Sequence, residues 1–412
     1  MPKSVVIIGA SLAGVSCAQR LLASDQDLHI SLISDEKDVA YDRPPLSKGL
    51  KIGKPVPVVD LDPNNQLESE RLTLFAGQAA QSIDPALKTV EVNGIRIPFD
   101  KLVIATGARA RMIPAYDIPG TPIKTLRTKA DADEIKALVE KHSNPRVGIV
   151  GGGFIGLELA SALSEGARVD LFEAQERLLS RVLPAEISAR VEQRHRDAGV
   201  NLHLGAHIAD VNASSDAVFL QLNDGAKFEF DLLVLGVGAV PNVELADAAG
   251  LDLANGIAVN EYLETSAADI YAVGDCCSFP LALNGERVRV ESWRNAQEQG
   301  HHVADEILNG ENTKFEGLPW FWSDQYDLGL QMAGWGHPES KRAVRESGDD
   351  LLVFELDMDH RVIAVAGIGL GNSVAKDVKL CERLIVKRAQ IEPEQLEDAS
   401  VNLKVLLKQR VQ

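Results

Sequence analysis

Two stretches of this chain carry glycines at the spacing that lets backbone wrap a pyrophosphate. Val5-Val6-Ile7-Ile8-Gly9-Ala10-Ser11-Leu12-Ala13-Gly14 runs from a buried strand into a helix, and Val147-Gly148-Ile149-Val150-Gly151-Gly152-Gly153-Phe154-Ile155-Gly156 does so again. Glycine at these places permits a tight bend, close approach of the main chain to phosphate, and close packing of helix on strand, while the free N–H groups of the helix N-terminus attract the anion. In the first copy Ser11 takes the middle place, being small and able to donate a hydrogen bond. The second copy is complete, and the strand Val169-Asp170-Leu171-Phe172 ends on Glu173. A carboxylate there accepts from the adenosine ribose hydroxyls and repels a 2′-phosphate, which favours NADH over NADPH. Arg177 and Arg181 are cations that would reach such a phosphate, or else solvated helix charges. Asp35 or Glu36, ending the second strand, is placed for a ribose hydroxyl in the first unit.

A third motif closes the first: Ile270-Tyr271-Ala272-Val273-Gly274-Asp275 reads as a strand ending on an acid. Two glycine turns in register with this acid point to a flavoprotein that also binds a nicotinamide dinucleotide. Tyr41-Asp42-Arg43-Pro44-Pro45-Leu46-Ser47-Lys48 reads as a loop whose prolines fix the backbone while Arg43 and Lys48 are carried beside a flavin. On residue type alone Lys48 is equally a surface lysine. Glu158 is placed in the first turn of the second glycine-turn helix, where a carboxylate compensates the helix dipole.

The elements that must position these groups are legible from pattern. Strand Ser4 to Ile8, helix Leu12 to Ala23 and strand His29 to Ile33 form one βαβ unit, and Arg146 to Glu173 forms another. Each is followed by a hairpin, about Asn93-Gly94 and about Asn223-Asp224-Gly225. Strand Lys101 to Ala105 leads to Thr106-Gly107, Pro114 to Pro122 marks a crossing between domains, and after Pro241-Asn242 the chain returns to the first domain. Alternating segments Leu351 to Leu356 and Val362 to Ala366, then a helix from about Ser373 to Arg388, form a third unit.

The chain has 412 residues, 45% hydrophobic and 25% charged, which suits a globular protein of several domains. No apolar run approaches the roughly 20 residues that span a bilayer, and Met1-Pro2-Lys3-Ser4 leads directly into a core strand, so no signal peptide and a cytoplasmic location are expected. A net charge of −18 argues against nucleic acid. Cys17, Cys276, Cys277 and Cys381 form no Cys-x-x-Cys pair and no metal-ligand cluster. Cys17 reads as a small buried hydrophobe, and a disulfide between the neighbours Cys276 and Cys277 is strained.

The set Gly9-Ala-Ser-Leu-Ala-Gly14, Arg43-Pro-Pro-Leu-Ser-Lys48, Ala105-Thr-Gly107, Gly151-Gly-Gly-Phe-Ile-Gly-Leu-Glu-Leu-Ala160, Ala272-Val-Gly-Asp275, Glu291-Ser-Trp-Arg-Asn-Ala-Gln297 and Pro319-Trp-Phe-Trp-Ser-Asp-Gln325 resembles the oxygenase-coupled NADH-dependent ferredoxin reductases over essentially the whole chain. The resemblance implies an α/β, glutathione-reductase-like flavoprotein with two dinucleotide-binding domains and a C-terminal α+β domain. Its implied boundaries are 1–112 with 244–319 for FAD, 113–243 for NAD, and 320–412 for the third domain. It implies FAD contacts at Ala13, Asp35, Arg43, Lys48, Ala80, Arg127, Asp275 and Trp293, besides Gly9, Ser11, Gly14, Thr106 and Gly107 around the turn. Gly151, Gly153, Gly156, Glu158, Glu173 and Arg181 fall to NADH. Lys48 would lie near flavin N5 paired with Glu158, and Trp322, or alternatively Trp320, where nicotinamide enters; a core aromatic of the third domain is the other reading of Trp322. Gly367-Ile368-Gly369-Leu370-Gly371-Asn372 departs from the more polar stretch usual in the family.

The implied activity is transfer of electrons from NADH through FAD to a [2Fe–2S] ferredoxin that serves a cytochrome P450 or a ring-hydroxylating dioxygenase. No cysteine stands in the Pro45-Leu46-Ser47-Lys48 segment, where disulfide reductases and NADH peroxidases carry theirs, so a thiol relay is excluded. The rivals are an NADH oxidase and a flavin redox sensor similar to apoptosis-inducing factor. Ferredoxins of this type are acidic, so an acidic reductase must gather basic residues for a transient electrostatic contact. Candidates are Arg294, Arg383, Lys387, Arg388, Lys404, Lys408 and Arg410, on a protein expected to be a monomer or weak dimer.

Overall fold

The computed structural model describes residues 3–408, in two compact units. The first holds the chain up to Asp42, then Val59–Arg109 and Val240–Phe321; the second holds Arg43–Val58, Ala110–Ala239 and the chain from Trp322 onward.

The first unit is built on a five-stranded parallel sheet in the order Ile270–Ala272, Lys101–Ile104, Lys3–Ile8, Leu28–Ile33, Leu72–Phe75. Val5, Val6 and Ile7 are wholly buried, as a strand covered on both faces requires. The sequence of crossovers reverses at Lys3–Ile8, so the glycine turn leaves the sheet at the switch point where such folds bind ligands. Helix Leu12–Leu22 follows. The Asn93-Gly94 hairpin forms as expected, between Thr89–Val92 and Ile95–Pro98.

The second unit repeats the design. Its parallel sheet runs Asn201–Leu204, Arg168–Glu173, Arg146–Val150, Leu232–Leu235, Ile123–Thr125, with the helix Phe154–Leu163 after the central strand. The expected strands Val218–Leu222 and Lys227–Phe230 pair around Asn223-Asp224-Gly225. Phe230 packs edge-on to Phe172 at 5.9 Å between ring centroids and fills the core beneath that meander.

A further sheet runs in the order Trp320–Gln325, Leu328–Gly334, Val362–Leu370, Asp350–Leu356, Lys341–Ser347, belonging to the second unit from Trp322 onward and backed by helix Ala375–Val386. Gly367 of the departing stretch has a packing reason. A Cβ on Gly367 would stand 2.7 Å from Leu352 and 3.1 Å from Val378 of that helix, so the bare backbone lets helix and sheet approach.

Two local readings change. Pro44–Lys48, expected as a loop, is a short helix; its prolines occupy the first positions, where the missing N–H groups have no helical partner anyway. The strand before Asp275 stops at Ala272. Gly274 at φ +76° breaks it, and Asp275 lies in the 3₁₀ turn Gly274–Cys276.

Candidate active site

The two glycine turns are geometrically alike. Gly9 has φ +117° and Gly151 φ +110°; a Cβ on either would lie 2.1 Å from Ala105 O or 2.3 Å from Gly236 O. A Cβ on Gly14 would meet Gly9 O at 1.9 Å, and one on Gly156 would meet Gly151 O at 2.2 Å, so the helix rests directly on the turn in both units. Ser11 and Gly153 are the N-cap residues, at φ −96° and −85° with extended ψ. Any residue adopts that backbone, and a Cβ on Gly153 would have nothing within 4 Å. The serine in place of glycine therefore costs nothing in conformation. Neither helix carries an acid in its first turn, leaving the positive end of the dipole for an anion.

Around the first turn, Thr106 and Gly107 are held by a residue the sequence did not single out. Asn242 donates from Nδ2 to Thr106 O (2.8 Å) and from its backbone N–H to Gly107 O (3.0 Å), while the Thr106 hydroxyl donates to Asn242 O (2.7 Å). The Gly274 N–H donates to the Gln299 Oε1 at 2.7 Å, which fixes the turn that carries Asp275. Trp293 opens the helix Trp293–Asn309 and donates its indole N–H to Asp42 (2.8 Å). Asp35 is exposed, Ala80 begins the strand Ala80–Asp84, and Glu36 accepts from the Tyr41 hydroxyl.

In the second unit Glu173 accepts from the Gly152 N–H (2.7 Å) and the Gln175 N–H (2.8 Å), so its carboxylate is oriented beside the glycine turn. The two arginines separate clearly. Arg177 is spent on Leu183 O, Ser188 Oγ and Ser180 O, all within 2.9 Å, whereas Arg181 is exposed. Arg43 donates to Arg127 O at 2.7 Å, and the Arg127 N–H donates to Asp131 (2.9 Å).

Lys48, Glu158 and Trp322 come together in this same unit. Lys48 Nζ lies 2.8 Å from Asp324 Oδ2, 3.9 Å from Glu158 Oε1 and 4.5 Å from the centre of the Trp322 ring. The Trp322 indole N–H also donates to Asp324 (3.1 Å). Trp320 belongs instead to the first unit, where Arg294 stacks over its ring at 4.4 Å.

Glu158 does not have the place expected for it. It lies in the second turn of Phe154–Leu163, 4% exposed, out of reach of dipole compensation. Its oxygens accept from the Ser47 and Ser323 hydroxyls, each at 2.6 Å. Burial pushes its pKa above the ordinary carboxylate value, against the opposing pull of Lys48 and the two hydroxyls. Ser47, Ser323 and Asp324 were not singled out in the sequence. Their only signal is adjacency, since each is next to or within two residues of a flagged side chain.

All four cysteines are free and buried. Burial pushes every thiol up, Cys17 to about 12, so none is a ready nucleophile. Among the described residues no helix is long and apolar enough to cross a membrane.

Residues 3–300 match the model for the pyridine nucleotide-disulphide oxidoreductases, and residues 320–407 match the reductase C-terminal model. The chain belongs to the pyridine nucleotide-disulphide oxidoreductase family. Within that family it is 36% identical to putidaredoxin reductase of Pseudomonas putida, across 98% of this chain and 96% of the relative. It is 34% identical to the ferredoxin–NAD(+) reductase component of the anthranilate 1,2-dioxygenase system of Burkholderia cepacia, across 98% of each chain. The crystal structure of the covalent putidaredoxin reductase–putidaredoxin complex superposes with a TM-score of 0.90 at 36% identity, covering 98% of each chain. The family name refers to disulfides, yet here the Pro44–Lys48 helix presents Ser47 and Lys48 to Glu158 and contains no sulfur.

Proposed function

We propose that this chain is an FAD-dependent ferredoxin–NAD(+) reductase that passes electrons from NADH to a [2Fe–2S] ferredoxin serving a cytochrome P450 or a ring-hydroxylating dioxygenase. The full-length likeness, C-terminal domain included, carries the reading. The absence of any accessible thiol beside Lys48 supports it, because electrons then have no internal sulfur acceptor.

The residues present fit FAD. The first turn is a cradle that a Cβ at Gly9 or Gly14 would fill, it leads to a helix with no acid in its first turn, and Asp275 is fixed in a short turn by Gln299. Bound FAD supplies acceptance of a hydride from NADH and release of its electrons one at a time. Gly9, Ser11, Ala13, Gly14, Thr106 and Gly107 bind its pyrophosphate region, Asp35 and Ala80 its adenosine end, and Asp275, Trp293, Arg43 and Arg127 the remainder. Gly151, Gly153, Gly156 and Glu173 bind NADH, with Arg181 at the adenosine ribose. Lys48 stabilises negative charge on the reduced ring, Glu158 pairs with Lys48, and Trp322 lies where the nicotinamide enters. In the three-domain reading, 1–112 with 244–319 bind FAD, 113–243 bind NADH, and 320–412 form the C-terminal α+β domain; the location is cytoplasmic.

Purified protein supplied with NADH and a [2Fe–2S] ferredoxin tests the function. Ferredoxin reduction far above the free-flavin rate is the expected result. Oxygen consumption stoichiometric with NADH and indifferent to ferredoxin would replace this reading with an NADH oxidase.

A further inference from the structure

Behind Ser323 lies a buried polar chain that the proposed chemistry does not use. Gln325 donates from Nε2 to Ser323 Oγ at 3.1 Å. His195 Nε2 lies 2.9 Å from Gln325 Oε1, and the Tyr326 hydroxyl lies 3.1 Å from His195 Nδ1. His195 is 0% exposed, Ser323 1% and Gln325 4%, so water does not compete for the two bonds among them.

The direction of the chain follows from what each group can do. The Gln325 oxygen only accepts, so His195 carries its proton on Nε2. Burial lowers the His195 pKa to about 4, which leaves the ring neutral and Nδ1 bare. The Tyr326 hydroxyl must then donate. Every donor points the same way: Tyr326 to His195, His195 to Gln325, Gln325 to Ser323, and Ser323 to Glu158.

Two further contacts hold the far end. Tyr326 adopts φ +57°, a left-handed conformation unusual for a bulky residue, and its N–H donates to the Ser161 hydroxyl at 2.8 Å. Ser161 is on the same helix as Glu158. The Arg194 guanidinium packs over the Tyr326 ring at 4.2 Å and pairs with Asp327 at 2.7 Å. A strained backbone held at both ends is commonly part of a functional arrangement.

We propose that Tyr326, His195 and Gln325 are positioning residues, a one-way chain of hydrogen-bond donors that ends on Glu158 and keeps its carboxylate an acceptor beside Lys48. This rests on the reading above in which Lys48 and Glu158 serve the flavin and nicotinamide. The charged groups acting on Glu158 are Lys48 and Asp324, and the one acting on His195 is Arg194. Without the chain, Ser323 is free to turn away, and burial then favours the protonated acid.

The experiment uses the full-length FAD-bound protein and follows the carboxylic acid C=O infrared band of Glu158, identified by its loss in Glu158→Gln, as pH is lowered. Gln325→Leu should raise the midpoint of that band by roughly one pH unit, the equivalent of one hydrogen bond to a charged group. Tyr326→Phe, which removes one hydroxyl from a half-buried end, should move it the same way by less and serves if Gln325→Leu does not fold. NADH bleaching of the flavin, measured in parallel, should slow with the same pH dependence. An unmoved midpoint in a folded variant overturns the chain. Failure of the underlying reading has a different sign: Lys48→Gln would leave bleaching unchanged while the band still shifted in Gln325→Leu.

Discussion

The Ser323 hydroxyl donates to Glu158 Oε1 at 2.6 Å across 165 residues of sequence. With the matching bond from Ser47 to Oε2, it supplies a donor to each oxygen of a carboxylate that is only 4% exposed. A buried acceptor deprived of a partner costs more than the bond itself contributes. Ser323→Ala should therefore lower stability by about 1–3 kcal/mol and slow flavin bleaching by NADH, whereas Ser323→Thr, which keeps the hydroxyl, should recover most of both. Thermal melts and stopped-flow absorbance on the two variants decide it.

Lys48 is shared between Asp324 and Glu158. Replacing it with Gln removes the cation but keeps the length. Flavin should remain bound, while the NADH bleaching rate falls on the order of a hundredfold, as for loss of one preorganised electrostatic group. An unchanged rate would remove Lys48 from the chemistry.

The pH dependence of stability has a definite sign at His195. Its folded pKa, about 4, lies below the ordinary 6.5, so between those values the unfolded chain binds the proton and the folded chain does not. Stability is lost as pH falls from 6.5 toward 4, by up to about 3 kcal/mol if the full shift is expressed. His195→Gln cannot titrate. The gap in melting temperature between parent and variant should narrow on acidification from pH 7 to 4.5, and a constant gap would contradict the shift.

Glu173 is oriented by Gly152 and Gln175, and Arg181 is the exposed cation of its pair. Glu173→Gln should raise kcat/KM for NADPH relative to NADH by roughly tenfold, the scale of one charge-assisted hydrogen bond. Adding Arg181→Ala should take back part of that gain. Steady-state kinetics with both nucleotides would show neither effect if the adenosine ribose binds elsewhere.

Lys387 donates to Leu407 O at 3.3 Å, which ties the end of the Ala375–Val386 helix to the end of the Leu403–Leu406 helix, and Arg383, Arg388, Lys404 and Lys408 on and beside these helices are exposed; Arg410 lies outside the described residues. In a chain of net charge −18, exposed cations such as these suit an acidic ferredoxin. Lys404→Glu, and separately Arg294→Gln, should raise the apparent KM for ferredoxin severalfold, more at low ionic strength, and leave ferricyanide reduction intact. Equal loss with ferricyanide would place the defect elsewhere.

The fold was open to reading because its signals are local. Val5 to Ile8 is buried throughout, the Gly9 and Gly151 turns have no room for a side chain, and Asn93-Gly94 and Asn223-Asp224-Gly225 sit where the hairpins turn. The site was legible only in part, because its contacts are not local. Glu158 looks like a helix-end charge until Ser47 and Ser323 arrive from 111 and 165 residues away. His195, between Arg194 and Arg196 on a highly charged helix, has the sequence surroundings of a surface residue, yet it is fully buried. Arg177 and Arg181 are alike in sequence, and only the folded loop shows that the first is already committed.

Segments 47–48, 158–161, 194–195 and 322–326 lie far apart in sequence yet are joined by one run of hydrogen bonds and ring contacts. A chimera that takes its C-terminal portion from one relative and its nucleotide-binding portion from another inherits half of a donor sequence from each parent. Grafts that carry Ser323, Gln325 and Tyr326 together with His195 should keep the proton inventory of the parent, and grafts that split them should not.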